Sequence, residues 1–234
     1  MELQKFITIV IPCKNESKTI DTTLTLLNYH KDIEGVKVIV ADSSDDSTKF
    51  ILENRNKDDF DLIIVDGGLP AKARNNGAKM VNTPFILFLD SDMFILDNNL
   101  LNKSLKTIIK NKLDLLTVKV RTTNGKYNYV FKFFDIIQRI TKPISPFCLG
   151  GFMLIRTNVF NELNGFDEDV IVAEDYLLSK QVKPKKFGLL NKVIYTPPRR
   201  FENKGLVYMI KLMIGSFLNR NNKQFFKDHN TYWK

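Results

Sequence analysis

The chain has 234 residues, of which 44% are hydrophobic and 26% charged, and its formal net charge is +9 at pH 7. The length suits one large domain, with or without an appendage, and the composition is ordinary for a soluble globular protein. The positive charge favours an anionic partner: a nucleic acid, an anionic membrane surface or a phosphorylated small molecule.

The few cysteines and histidines exclude several classes of site. Cys13 and Cys148 lie in apolar segments and form no CxxC pair, which is typical of buried thiols in a reducing compartment. No signal-peptide pattern is seen, and no run reaches the ~18 apolar residues of a spanning helix, so we expect a cytoplasmic protein. His30, expected at the surface, and His229 are too few for a zinc site or a Ser-His-Asp hydrolase.

The first 95 residues alternate strands and helices. The patterns predict strands at 6–12, 36–41, 60–65 and 85–89, with helices at 17–29, 48–56 and 70–80, the first capped by Ser17. Such alternation is typical of a parallel sheet with helices on both faces and right-handed crossovers.

Polar side chains follow several of these strands. In open parallel sheets, ligands bind beyond the carboxyl ends of the strands. Asp90 and Asp92 close the most apolar strand, and in extended backbone both point to one side. Oxygen ligands suit a hard cation such as Mg²⁺ or Mn²⁺; the alternative is a solvated strand end, where Asp favours a turn. The groups expected at this edge are Glu16, Asp42, Asp46, Arg74, Asp90 and Asp92. No GxGxxG or P-loop motif is present.

The second half is less regular. The patterns predict a helix at 99–112, a strand at 115–120, an aromatic helix at 126–140, a glycine turn at 150–151 leading into a strand, a turn at 164–168, a helix opening at 173–176, a strand at 193–195 and a basic turn at 196–201. The segment from residue 204 is predicted to be a basic, aromatic helical tail.

Five segments carry a resemblance to a known family. They are IVIPCKNE at 9–16, VIVADSSDDST at 38–48, ARNNGA at 73–78, DSD at 90–92, and GFDE at 165–168 with Glu174 and Asp175. In this order, over roughly residues 6 to 201, they resemble the family 2 glycosyltransferases. Ala41 and Ser43 depart from the family pattern, which has Asp and Gly there. The resemblance implies a GT-A fold: an α/β, Rossmann-like, mostly parallel sheet flanked by helices, with a smaller acceptor-side region.

On the donor side, the resemblance implies that Asp42 accepts the imide N–H of a uracil-type base. It also implies that Asp92, with Asp90, binds Mn²⁺ or Mg²⁺ bridging the diphosphate, and that an arginine after the last strand stabilises the leaving group. The full predicted donor set is Pro12, Cys13, Glu16, Asp42, Arg74, Asp90, Asp92, Arg199 and Arg200.

Alternatives for the donor set remain open. Asp42 could cap the following helix, although Asp46 fits that position better. Glu16 could complete a cap near Ser17. Arg74 could contact phosphate or a nearby carboxylate, and the two late arginines could form a solvated turn.

On the acceptor side, the resemblance implies that Asp175 is the general base of an inverting transfer, taking the proton of the acceptor hydroxyl. Glu174 would raise the pKa of Asp175 by like charge. Gly150 and Gly151 would let the acceptor approach the backbone. The alternatives are an Asp favoured in the first turn of a helix and a plain tight turn.

The predicted organisation is a glycosyltransferase domain at 1–203, with a nucleotide-binding half at 1–97 and an acceptor half at 98–203, followed by the tail at 204–234. We expect the tail to contact an anionic membrane at its inner face, the core or a second subunit. His229 is either a solvated tail residue or, if the tail folds back, a third metal ligand.

The predicted function is metal-dependent, inverting transfer of a sugar from a nucleotide-diphospho sugar, most simply a UDP-sugar, to a hydroxyl on a glycan or lipid-linked saccharide. One alternative is a sugar-nucleotide nucleotidyltransferase, whose Gly-rich loop is missing at 12–16. The other is a non-catalytic polyanion binder, although no nucleic-acid-binding motif is present and no nucleic-acid partner is expected. The sugar, the acceptor, the number of subunits and retention of configuration stay open.

Overall fold

The computed structural model describes residues 2–55, 58–219 and 221–227. A seven-stranded sheet has the order β3-β2-β1-β4-β6-β5-β7. Its strands are β1 (Ile7–Cys13), β2 (Lys37–Asp42), β3 (Asp61–Asp66), β4 (Phe85–Leu89), β5 (Leu115–Thr122), β6 (Phe152–Arg156) and β7 (Phe187–Thr196).

The α-helices of the described ranges are α1 (Ile20–Asn28), α2 (Thr48–Glu53), α3 (Pro70–Ala78), α4 (Leu100–Lys110), α5 (Asn128–Thr141), α6 (Thr157–Glu162), α7 (Glu174–Ser179), α8 (Arg199–Lys204), α9 (Leu206–Leu218) and α10 (Lys223–Lys227).

The first four strands form the parallel half of the sheet. β1 pairs in parallel with β2 and β4, and β2 pairs in parallel with β3. Ile9 and Ile11 pack in one apolar cluster and Val10 in another, and all three are fully buried, so both faces of this half are covered as in other parallel sheets. The predicted α/β architecture is confirmed.

The second half differs from the prediction in direction and in bounds. β6 runs antiparallel to both β4 and β5, a direction that apolar patterning does not encode. β7 begins at Phe187 rather than at residue 193 and pairs with β5 through an irregularity after Val118. The expected basic turn at 196–201 contains the start of α8, and α6 was not predicted.

Two predictions near the amino terminus are wrong. Ser17 does not cap α1, which begins at Ile20, because the Glu16 carbonyl already accepts the amides of Thr19 and Ile20. His30 is 4% exposed rather than at the surface, and burial lowers its pKa to about 4.

The sheet brings the polar strand ends together. Cys13 is aligned with Asp42 and Asp42 with Asp66 across the parallel strands. Helix α3 lies directly on β1 because residue 77 is glycine: a Cβ there would be 2.4 Å from Cγ1 of Val10. This close packing holds the earlier turns of α3 beside the carboxyl edge of the sheet.

The described part of the tail packs on the core, one of the three predicted alternatives. Met209 on α9 and Phe226 on α10 are buried. The Phe226 carbonyl accepts the amide of Ile171 at 2.9 Å, and Nζ of Lys227 lies 2.7 Å from Oδ2 of Asp169. Arg220 and residues 228–234, with His229, Tyr232 and Trp233, lie outside the described residues. No helix of the described ranges is long and apolar enough to span a bilayer.

Candidate active site

Arg74 joins two parts of the predicted site. Its side chain is buried, its Nη2 donates to Oδ1 of Asp90 at 2.6 Å, and its Nη1 donates to Oε1 of Glu174. Burial opposes the charged form, but the two carboxylates outweigh it and raise the pKa of Arg74. Of the two alternatives for Arg74, the structure shows the contact with carboxylates.

Arg199 makes a second bridge on the donor side. Its Nη2 donates to Oε1 of Glu16 and, at 3.0 Å, to Oδ2 of Asp92. Helix α8 begins at Arg199, directly after Pro198, so the arginine lies in the first turn of a helix rather than in a solvated loop. Glu16 therefore faces this cluster and accepts the hydroxyl of Thr19 at 2.6 Å.

The extended backbone predicted for the DSD segment is wrong. β4 ends at Leu89, and the Met93 amide bonds back to the Asp90 carbonyl at 3.1 Å, so residues 90–93 form a turn rather than extended backbone. Asp90 consequently pairs with Arg74, and Asp92 with Arg199.

Asp92 is the candidate ligand for a divalent cation. It is 2% exposed, and its Oδ1 has no hydrogen-bond partner among the described residues. A cationic guanidinium already lies against its other oxygen. In the described ranges, no three His, Cys, Asp or Glu side chains group as a complete metal site. Cations such as Mg²⁺ or Mn²⁺ are usually bound through one or two carboxylates, with substrate phosphates and water completing the shell.

Asp175 lies against the glycine turn before β6. Gly150 has φ +77°, and a Cβ there would be 2.8 Å from Oδ2 of Asp175 and 3.9 Å from Oδ2 of Asp90. Burial and the neighbouring Glu174 raise the pKa of the half-buried Asp175 to about 7. A carboxyl with this pKa can both accept and release a proton near neutral pH.

Gly151 has a different environment. A Cβ at this position would lie 2.5 Å from Cε of Met93, and the Gly151 carbonyl accepts the Asp90 amide at 3.2 Å. The residue therefore packs under the turn that carries Asp90, which corresponds to the tight-turn alternative.

Asp42 and Asp46 behave differently from each other. Oδ1 of Asp42 accepts the hydroxyl of Ser44 at 2.6 Å, whereas Oδ1 of Asp46 accepts the amide of Thr48, the first residue of α2, at 2.9 Å. Asp46 thus accepts a free amide at the start of α2, as predicted, and Asp42 does not. Asp42 lies beside Cys13, whose pKa is raised by burial and then by the Asp42 charge.

Two adjoining cavities contain most of the predicted residues. A cleft of about 300 Å³ is lined on the donor side by Pro12, Cys13, Glu16, Arg74, Asp90, Arg199 and Arg200, and a larger cavity of about 570 Å³ is lined on the acceptor side by Gly150, Glu174 and Asp175. Both are bordered by Arg74, Asp90, Arg200 and Met209. Asp42, Asp92 and Gly151 line neither cavity.

Asn75 is a site-building residue that the sequence did not reveal. Its side chain accepts the Phe166 amide and donates to the Phe166 carbonyl, both at 2.9 Å, and it also donates to Glu168. It therefore ties α3 to the turn at 165–168, next to Arg74. Both segments were recognised as motifs, but nothing in a sequence shows that one side chain joins positions 91 residues apart.

Comparison with known proteins shows the family of the chain. The family model described as Glycosyl transferase family 2 matches residues 8–164. The chain belongs to this family. It is 32% identical over 186 residues to the poly(ribitol-phosphate) beta-N-acetylglucosaminyltransferase TarS of Staphylococcus aureus strain Mu50, a match covering 76% of this chain and 32% of the relative. The chain thus spans about a third of the length of that curated relative.

Solved glycosyltransferases share the fold. Staphylococcus aureus TarS 1–349 in complex with UDP-GlcNAc superposes with a TM-score of 0.65 at 24% identity, over 82% of this chain and 58% of that one. The mannosyltransferase PcManGT of Pyrobaculum calidifontis, in complex with GDP-Man and Mn²⁺, gives a TM-score of 0.68 at 17% identity, over 89% of this chain and 64% of that one. The fold is therefore the GT-A fold that the motifs implied.

Replacing Gly150 should impair transfer. In Gly150→Ala the new Cβ would lie 2.8 Å from Oδ2 of Asp175 in a backbone with φ +77°, so the carboxylate must move. We expect nucleotide release from sugar nucleotides to fall roughly tenfold or more, with nucleotide binding retained in calorimetric titration.

The matched control for this variant is Gly125→Ala. Gly125 has φ +73°, but the nearest atom to a new Cβ is Nδ2 of Asn128 at 3.7 Å. Similar losses of turnover in the two variants would mean that backbone strain, and not the approach to Asp175, is responsible.

Proposed function

We propose that the chain transfers a sugar from a UDP-sugar to an acceptor hydroxyl with inversion, and that Asp175 is the general base. The observation that supports this most strongly is that Asp175 lines the larger cavity and lies across Gly150 from Asp90, which borders both cavities. A donor in the smaller cleft and an acceptor in the larger cavity would meet at this point.

Inversion requires a single displacement. The acceptor O–H would give its proton to the Asp175 carboxylate while its oxygen forms a bond to the anomeric carbon. The bond from that carbon to the diphosphate oxygen breaks, and UDP leaves with the electron pair. One carboxylate on the acceptor side is enough for this chemistry, and the raised pKa of Asp175, about 7, matches the task.

The donor cleft has the charge that a diphosphate needs. Arg199 and Arg200 line it together with Lys14 and Lys204, and guanidinium groups bind phosphate oxygens bidentately. Asp42 would accept the imide N–H of the uracil ring, since a carboxylate is an acceptor only. The complex of TarS with UDP-GlcNAc supports a uridine donor for this chain.

Asp92 would hold Mn²⁺ or Mg²⁺ through its unpartnered Oδ1, with Asp90 beside it. When bound, such an ion neutralises the developing charge of the leaving diphosphate. The Mn²⁺ complex of the mannosyltransferase supports this assignment. Arg199 would then exchange its contact with Asp92 for one with phosphate while keeping Glu16.

The acceptor and the compartment are also part of the proposal. The relative is named for transfer to poly(ribitol phosphate), and we propose a hydroxyl on a glycan or lipid-linked saccharide here. The buried free thiols of Cys13 and Cys148 support our proposal of a reducing, cytoplasmic setting.

Removal of the base should abolish turnover and its pH dependence. The carboxylate must be deprotonated to accept a proton, so kcat/KM of the unchanged protein should rise with pH through about 7 and then level off. Asp175→Asn should lose roughly 10²- to 10⁴-fold in kcat and keep its affinity for UDP, measured by calorimetry. Asp61→Asn, at an exposed carboxylate, is the control. Normal turnover by Asp175→Asn would refute the assignment.

Removal of the Asp92 carboxylate should weaken the binding of UDP in the presence of Mn²⁺ as well as slow the transfer. We expect Mn²⁺ to tighten UDP binding by the unchanged protein, and Asp92→Asn to reduce that gain roughly 10- to 100-fold, because the ion loses its protein ligand. Asp66→Asn removes an exposed carboxylate at the same edge of the sheet and should keep the Mn²⁺ effect. If Asp92→Asn retains it as well, the ion binds elsewhere.

A further inference from the structure

The cavity on the acceptor side is mostly apolar. Its volume is about 570 Å³, and its walls come chiefly from α5, α9 and the segment 147–150. Among the lining side chains are Phe131, Phe134, Ile137, Met213 and Phe217. A polar saccharide would leave its hydroxyls without hydrogen-bond partners against such walls, whereas apolar cavities of this kind accept apolar groups.

The lining of the cavity has a polar part and an apolar part. Asp175, Arg74 and Asp90 lie close together and form the polar part. Elsewhere the wall includes Phe133, Ile140 and Ile214, whose side chains are 53%, 70% and 41% exposed. The cavity therefore opens to the surface between α5 and α9 through large apolar side chains.

The mouth lies within a longer apolar stripe on α5. Tyr129, Phe133, Ile136 and Ile140 recur at helical spacing on one face and are each at least 53% exposed, and Ile144 beyond the helix is 86% exposed. Exposed contiguous apolar side chains of this kind mark an interaction surface. We refer to these five residues as the α5 stripe.

The charges around the stripe indicate what covers it. Lys132 and Arg139 are exposed on α5, next in sequence to stripe residues, and Lys211 is exposed on α9. The one acidic residue of α5, Asp135, is buried and paired with Arg121, and α9 contains no acidic residue. Apolar side chains on helices whose exposed charges are basic complement an anionic lipid surface, where the apolar groups enter the acyl boundary and the cations meet phosphates.

We propose that the cavity binds the apolar chain of a membrane-borne acceptor, and that the α5 stripe lies on an anionic bilayer so that the chain enters between α5 and α9. This rests on the proposed function, because it places the acceptor hydroxyl at the polar part of the cavity lining, which contains Asp175. The acceptor class is thereby narrowed to an amphiphile with a long apolar chain.

The chain site can be tested by photolabelling. The probe is dodecyl phosphate carrying a diazirine near the end of its chain, presented to the full chain in vesicles of phosphatidylcholine and phosphatidylglycerol, with labelled peptides mapped by mass spectrometry. We expect saturable labelling of peptides from α5 and α9. Met213→Trp, which fills the interior, and Ile214→Trp, which blocks the mouth, should reduce it about tenfold.

The control is Leu218→Trp, on the same helix, 74% exposed and outside the lining residues; its labelling should match that of the unchanged protein. Thermal unfolding of each variant shows whether it is folded. If Met213→Trp unfolds, Ile214→Trp still tests the proposal, because Ile214 is exposed. Equal labelling of all variants would overturn the proposal.

The membrane part has its own readout. Flotation of the full chain should be strong with vesicles containing phosphatidylglycerol and weak with pure phosphatidylcholine. It should fall about fivefold or more in Ile136→Ser/Ile144→Ser, which spares the cavity lining, and stay unchanged in Tyr29→Ser/Phe50→Ser, which removes side chains 72% and 67% exposed elsewhere. Equal flotation with both vesicle types, or none, would contradict a membrane-borne acceptor.

Calorimetry with UDP and Mn²⁺ separates this inference from the proposed function. All of these variants should bind UDP like the unchanged protein, because none of the altered residues lines the donor cleft. Labelling that depends on the cavity in a protein that binds no UDP would support the chain site and refute the proposed donor chemistry. UDP binding without such labelling would support the proposed donor chemistry and refute the chain site.

Discussion

The buried ion pairs of Arg74 hold the site together. One guanidinium binds Asp90, which follows the central strand β4, and Glu174, which begins α7 a hundred residues further along the chain than Arg74. A buried charge is tolerated only when it is well paired, and removing one partner of such a pair typically costs roughly 3–5 kcal/mol. The donor half and the acceptor half of the site are therefore fixed relative to each other by electrostatics, with α3 as the support.

The properties of Asp175 follow from this arrangement. The residue is adjacent to Glu174, so the contact that fixes Glu174 also fixes the start of α7. Burial and the Glu174 charge raise the pKa of Asp175, while the positive charge of Arg74 opposes them, and the balance lies near neutrality. Asn75, the next residue on α3, secures the turn at 165–168 in the same way through the Phe166 backbone. Two consecutive side chains thus connect both acceptor-side motifs to the nucleotide-binding half of the sheet.

The sequence was informative where a signal is local or periodic. Unbroken apolar runs identified β1, β2 and β4, and parallel pairing then implied that Glu16, Arg74 and Asp90 meet at one edge. It was uninformative where long-range contacts decide. The arginine partners of the two aspartates, the direction of β6 and the contact of Asn75 with the turn at 165–168 depend on residues far away in the chain. The α5 helix was predicted, but its exposed stripe could not be, because only the packed structure shows which aromatic side chains the core leaves outside.

The most direct test of this account is the free energy of unfolding of Arg74 variants, measured with a chemical denaturant. Arg74→Met leaves Asp90 and Glu174 buried without their cation, and we expect a loss of roughly 3–5 kcal/mol. Adding Asp90→Asn and Glu174→Gln to this variant neutralises both carboxylates and should recover more than half of the loss. A cost below about 1 kcal/mol for Arg74→Met, or a triple variant less stable than the single one, would contradict the claim that these ion pairs hold the two halves of the site together.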